Sequence, residues 1–368
     1  MNRIIDFLKK EIVLSVSFVL ALISMFFVPP SEKYFDYIDF RTLGLLFSLM
    51  TIMAGLNKMG IFRLLAKNLL NKAKTMRGVT LLLVLLCFFS SMLITNDVAL
   101  ITFVPFSVVL LKLANKQNRM IFVVTLETIA ANLGSMLTPI GNPQNLYLFS
   151  AYNMSISDFF YTIAPYAMLS LGLLVIFSLF SDKSELANLG DREEVIFDKR
   201  LLTMYAVLFA IALLSVFRVL NYIVLLAVVI VFVLIFDRKV LLKVDYSLLF
   251  TFVFLFIFIG NLGNIAQINS WLSEIVGGNE VVVGVLASQV FSNVPAAILL
   301  SGFTCNAAAL MIGVNIGGLG TLIASMASLI SFKFIQKESV SIAKYLGVFT
   351  LLNVVFLAAN VALWVVVK

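Results

Sequence analysis

The 368-residue sequence has no histidine, only two cysteines, and charge on only 12% of its residues. Without histidine, histidine-ligated metal chemistry is excluded, and with Cys87 and Cys305 unpaired in distant apolar runs there is no disulfide framework. Each cysteine reads as a small buried hydrophobe. No Gly-rich loop ending in Lys-Ser/Thr is present, which argues against ATP hydrolysis. Charge is too scarce to cover a soluble domain. At 62% hydrophobic residues and a mean hydropathy of +1.09, the composition is that of an integral membrane protein whose large partner is the lipid bilayer, not nucleic acid. Its apolar runs of about 17 to 27 residues match the roughly 20 that a helix needs to cross, and they lack the alternation of a membrane barrel. The fold class is therefore an all-α polytopic membrane protein.

In chain order, Arg3, Lys9 and Lys10 precede an apolar run from Ile12 to Val28 that ends at Pro29-Pro30, an uncleaved first helix. A second run covers Arg41 to Leu56. Residues 61–75 alternate apolar positions with Arg63, Lys67, Lys72 and Lys74, as a helix on the membrane surface does. The segment 78–113 is interrupted at Thr95-Asn96-Asp97, and 119–149 at Gly141-Asn142-Pro143. Irregular chain survives at membrane depth only where protein buries it or a cavity receives it, so these interruptions mark the place to look for function. The run 160–180 and a charged connection, 181–200, close a first half assigned to residues 1–190. In the second half, 191–368, runs cover 201–217, 222–236, 248–263, 281–303 (broken at Ser292-Asn293-Val294-Pro295), 307–332 and 342–367, with a weakly polar, non-spanning piece at 267–277.

The halves match in kind and order. Asp39-Phe40 leads toward Gly55 as Asp245-Tyr246 leads toward Gly260, and TNDVA at 95–99 answers SNVPA at 292–296. Residues 132–141 align without gaps on 315–324, pairing Asn132 with Asn315, Gly134 with Gly317 and Thr138 with Thr321. If 78–113 and 281–303 are hairpins that return to their own side and the N-terminus is cytoplasmic, all but Lys33, Arg41, Arg218 and Lys368 of the 26 lysines and arginines fall on the inner side. The expected topology has about nine full spans and two re-entrant hairpins, with the C-terminus outside. Five crossings then separate Asp39 from Asp245, which inverts the second repeat relative to the first. Inverted repeats with broken helices are a transporter signature.

This order of basic amphipathic segment, hairpin with a Ser/Thr-Asn tip, and broken helix with the turn Gly141-Asn142-Pro143-Gln144-Asn145 resembles the ion transporter superfamily over roughly residues 39–366. That group includes divalent anion/sodium symporters, citrate transporters, arsenite permeases and one class of sodium/proton antiporters. The resemblance implies an elevator-type secondary transporter, usually a homodimer, whose hairpin tips and broken helices form the ion and substrate sites. The tips here, Thr-Asn-Asp and Ser-Asn-Val-Pro, differ from the symporters' Ser-Asn-Thr and stand closer to the arsenite permease branch. The second broken helix lacks the Pro-x-Asn turn.

Chemistry follows from the same residues. A hairpin tip presents free N-H groups and the positive end of a helix dipole beside free carbonyls, so it can face an anion and a cation together. Asn96, Thr138, Asn142, Asn145, Asn293 and Thr321 are the candidate substrate ligands. Thr95, Asn96, Asp97, Asn132, Gly134, Ser292, Asn293, Asn315 and Gly317 are the candidate ion ligands, for sodium or a proton, with no other cofactor or metal expected. Asp97 has no acidic mate in the second repeat, where Val294 stands. It suits a sodium-binding carboxylate, a proton carrier or a helix cap. Glu127, five residues before Asn132, suits either a transport role or a structural pair with a lysine. No lysine or arginine falls at the expected midplane. The reading is a cation-coupled secondary transporter of a small anion, a di- or tricarboxylate or an inorganic oxyanion. Sodium/proton antiport or arsenite-type efflux is the alternative; a channel comes next, and an enzyme last, because Asp97 and Glu127 lack metal-ligand or nucleophile partners.

Overall fold

The structure, a computed structural model, describes residues 11–60, 75–184 and 198–367. The amphipathic segment 61–75 thus lies almost entirely outside the described residues, as do the N-terminal basic cluster and most of the charged connection. Among the described residues the protein is helical, with no strands. α1 (Ile12–Phe27), α2 (Lys33–Tyr37) and α3 (Phe40–Lys58) are followed by α4 (Met76–Ile94) and α5 (Asn96–Leu113), which meet at Thr95. α6 (Met120–Ser135) and α7 (Pro143–Ala151) are the two parts of the first broken helix. Next come α8 (Ile156–Ser178), α9 (Lys199–Val216), α10 (Tyr222–Phe236), α11 (Tyr246–Gly263) and α12 (Ala266–Val276). α13 (Glu280–Phe291) and α14 (Asn293–Ser301) meet at Ser292, and α15 (Ala307–Ile316) and α16 (Met326–Ile335) form the second broken helix before α17 (Ile342–Val367).

The uninterrupted runs become helices with the expected bounds, since nothing polar competes with burial inside them. Short polar side chains set the starts. Asp39 accepts from Thr42 N at α3, and Asp245 accepts from Leu248 N at α11, so matching residues cap matching helices. The helix at residues 33–37, which no apolar periodicity announces, is pinned by Tyr34, whose hydroxyl donates to Val28 O. Cys305 departs from expectation. It is exposed in the turn after α14, while Cys87 is buried as expected.

Among the described residues, seven helices are long and apolar enough to cross a membrane, α3, α4, α5, α8, α9, α11 and α17, and the count reaches eight if α12 and α13, bent by 109°, are taken together. Two of the seven, α4 and α5, are the arms of the segment read as a hairpin. Their outer ends nevertheless meet on one short segment. Met76 N donates to Ser184 O, Arg77 Nε donates to Ser181 O, and Lys116 pairs with Asp182 at 3.6 Å. The chain therefore reverses at Thr95. It reverses again at Ser292, because Thr304, after α14, donates to Glu280, at the start of α13, at 2.9 Å.

Packing follows the same plan in both halves. α6 lies along both arms α4 and α5, and α15 lies along both arms α13 and α14. The far parts cross over: α7 packs on α14, and α16 packs on α5. Around this body, α3 packs against α9 and α10, α1 packs against α11, and α3 and α11 touch α7 and α14 respectively. Gly134 lets α6 lie close on α4 in the first half, where a Cβ would lie 2.2 Å from Phe88 O and 2.7 Å from Ser91 Oγ. Gly317 does the same in the second, 2.8 Å from Ser288 Oγ and 2.9 Å from Val285 Cα.

Candidate functional site

Both chain reversals are built on a strained residue. Thr95 has φ 70° and ψ 153°, and Ser292 has φ 71° and ψ 154°, a region that side-chain-bearing residues rarely enter and that costs about 1–3 kcal/mol. Two such residues with the same dihedrals at matching positions must be held there by their surroundings. Around Thr95 the holders are visible. Asn96 N donates to Gly141 O at 3.1 Å, Asn96 Nδ2 donates to Asn132 Oδ1 at 3.2 Å, and Thr138 Oγ1 donates to Met92 O at 2.5 Å. The tip is thereby locked to the break of α6–α7. At the second tip, Thr321 Oγ1 reaches Gln289 O at 3.5 Å, and Gln289 occupies the position that corresponds to Met92. Gln289 Nε2 also donates to Gly317 O and Leu319 O, so its amide stitches the unwound chain after α15.

The two breaks are cross-bonded. Asn142, which starts α7, donates to Asn315 Oδ1 at 3.2 Å, and Asn315 Nδ2 donates to Asn145 Oδ1 at 2.6 Å. Ser325, which starts α16, donates to Asn132 Oδ1 at 2.9 Å. Ser325 was absent from the sequence-based candidates. It stands where Asn142 stands if the alignment of Asn132 on Asn315 is carried ten residues further, and that extension was the available signal. Asn132, Asn142, Asn145, Asn315 and Ser325 are all buried. Buried amides are costly unless paired, and together these form a polar seam through an apolar body. Asn132 Nδ2 alone in this set has no hydrogen-bond partner among the described residues.

One tip opens onto a cavity of 370 Å³. Thr95, Asp97 and Val98 from the tip, Asn142 and Pro143 from the start of α7, Asn57 from α3, and Lys243 and Asp245 before α11 supply its polar or tip-derived wall. The remainder is Leu, Met and Ala54 of α3 with Ile101, Ile140, Leu146 and Leu248. Asp97 Oδ1 is buried without a hydrogen-bond partner among the described residues. The starts of α5 and α7 both face this space; Asn96 N, Asp97 N and Asn145 N are already bonded and Pro143 has no N-H, so it is the positive ends of the two helix dipoles that favour negative charge, while the Asp97 and Asp245 carboxylates favour a cation. The arrangement can hold an anion and a cation side by side. Lys243 adds a basic group to this wall that the sequence reading did not include: it comes from the 3-10 turn Arg238–Lys243, whose distance along the chain hid it.

The structure brings Thr95, Asn96, Asp97, Asn132, Thr138, Asn142 and Asn145 together, and joins Asn315 to them through Asn142 and Asn145. Ser292, Asn293, Gly317 and Thr321 gather at the second tip, where a Cβ on Gly318 would come within 2.8 Å of Asn293 Nδ2. Gly134 and Gly317 sit against the first hairpin arms as packing positions. Glu127 has no lysine partner among the described residues. Its Oε1 accepts from Ser107 and Cys87.

Comparison with known proteins points one way. A profile described as citrate transporter matches residues 4–310. An uncharacterized transporter of Methanocaldococcus jannaschii is 32% identical over 350 residues, 94% of this chain and 95% of its own. The inner membrane protein YbiR of Escherichia coli is 32% identical over 326 residues, 84% and 83% of the two chains. A silicon efflux transporter of Oryza sativa subsp. japonica is 33% identical over 162 residues, 43% of this chain and 32% of its own.

Proposed function

The chain belongs to the citrate transporter family and is a multi-pass membrane transporter, and from that premise we propose that it is a cation-coupled secondary transporter of a small anion. The observation that carries this reading is the pair of strained tips, each bonded to the break of its own half, with the breaks bonded to each other and one tip open to a cavity. In this reading the halves are inverted repeats, and 78–113 and 281–303 are re-entrant hairpins. Their ends lie at opposite faces of the body. Residues 76–77, 116, 181–184 and 338 gather at one face, where Lys112 pairs with Glu338. At the other, Arg218 donates to Phe149 O and Tyr152 donates to Ser301 O and Thr304 O. In this reading the first face, where basic residues gather, is cytoplasmic, and the cavity, walled by Lys243 and Asp245, would open inward.

Sodium or a proton would meet Asp97 Oδ1 and the tip hydroxyls, and the solute would meet Asn142, Asn96 and the helix starts. Movement of the hairpin body against α1, α3 and α9 to α11 would carry the site across, and a homodimer through those outer helices is the expected assembly. A second reading, exchange of a neutral hydroxy solute for a cation, is favoured by the cavity's charge: two carboxylates against one lysine. A thermal-shift screen of the purified protein separates the two. Stabilisation by a carboxylate or oxyanion that requires sodium supports symport, and stabilisation by a neutral hydroxide alone supports the second reading.

A further inference from the structure

Glu127 lies outside the cavity and takes no part in the scheme above. It projects from α6 and is fully buried at 0% exposure. Its Oε1 accepts a 2.5 Å hydrogen bond from Ser107 Oγ of α5 and faces Cys87 Sγ of α4 at 3.9 Å. Its Oε2 is buried without a hydrogen-bond partner among the described residues, and none of their ion pairs includes it. An ionised carboxylate in this position would be a buried charge with both of its donors, a hydroxyl and a weak thiol, on one oxygen and none on the other, which is costly. A neutral acid removes that cost by placing a proton on the oxygen that has no donor.

The surroundings offer no substitute for that proton. Cys87 is the titratable group that meets the carboxyl. Asp97 stands ten residues before Ser107, roughly 15 Å along α5, and Lys112, five residues after it, is engaged with Glu338. Arg77 on α4 is bonded to Ser181 O, Tyr345 of α17 is buried with its hydroxyl unpaired, and α15 carries no charged residue. Asp158 of α8, Lys333 of α16 and Lys344 of α17 sit near the ends of their helices.

We propose that Glu127 is a proton-binding site inside the first hairpin body, separate from the cavity carboxylate Asp97 and clasped by both hairpin arms. Because the arms contributing Cys87 and Ser107 end at the first tip, occupancy of this site bears on how tightly the hairpin closes on α6. Its role in ion coupling rests on the transport reading; its protonation does not.

The test uses the detergent-purified full chain with no solute. If the folded state holds a proton that the unfolded chain releases above about pH 4.3, stability falls as pH rises, and a neutral amide abolishes that component. The melting temperature of Glu127→Gln, relative to wild type, should therefore climb between about pH 5 and 8, by about 2 °C per pH unit. A difference that stays constant across the range overturns the site. If the amide variant does not fold, Glu127→Met removes both titration and the unpaired oxygen and carries the same comparison. In proteoliposomes with an entrapped pH dye and citrate plus sodium as probes, absence of flux in wild type counts against the proposed function, while the melting series still decides the site.

Discussion

At the scale of single residues, the account places function in amides that serve both halves. Asn96→Ala removes the bond to Asn132, one of the three that hold the strained Thr95, and Asn315→Ala removes the bonds to Asn142 and Asn145. Each loss costs about 1–3 kcal/mol, enough to abolish a site while leaving most of the protein folded. Transport by either variant should fall to background while expression stays near wild type. Asp97→Asn is more diagnostic, since it removes the charge with little change of shape from a side chain that makes no capping hydrogen bond to α5. If Asp97 holds sodium, the sodium concentration for half-maximal transport should rise, and unchanged sodium and pH profiles would make Asp97 scaffolding. Much of this was legible in the sequence, because Asn132 with Asn315 and Asn96 with Asn293 are polar residues in apolar runs paired between the halves, and Asn142 and Asn145 stand in a turn that interrupts such a run. Ser325 escaped because a serine beside apolar residues looks like helix packing, and Lys243 because only the folded chain brings residue 243 to the tip at residue 95.

At the scale of elements, the hairpins depend on how closely each first arm can lie on its broken helix. Gly134→Ala would place a Cβ 2.2 Å from a backbone oxygen of α4, which cannot swing away as a side chain could. Overpacking of this kind costs about 1–3 kcal/mol and should lower the melting temperature measurably. Gly172→Ala on α8 is the control: nothing lies within 4 Å of its Cβ, so alanine in mid-helix should be neutral or slightly stabilising. Equal effects of the two would show that α4 and α6 are not in close register. The bounds of α10 and α17 were plain in the sequence because their apolar runs are unbroken. Helix length alone is less informative about α4 and α5, whose 19 and 18 residues are enough to cross, and whose outer ends meet on one segment as the arms of either a re-entrant hairpin or a pair of crossings do.

At the scale of the whole molecule, the account predicts sidedness and then transport. A cysteine introduced at Lys116 should be labelled only from the cytoplasm and one at Asn279 only from outside, in a background lacking the exposed Cys305. External labelling at Lys116 would undo the first re-entrant hairpin and every later loop with it. The most direct measurement of the central claim is solute accumulation in proteoliposomes under an imposed cation gradient, with wild type beside Asn96→Ala and Asn293→Ala. The account predicts that wild type concentrates a carboxylate or oxyanion above its external level, that accumulation vanishes when the gradient is collapsed, and that both variants lose it together. Flux that only equilibrates the solute, or accumulation that survives in both variants, would contradict it.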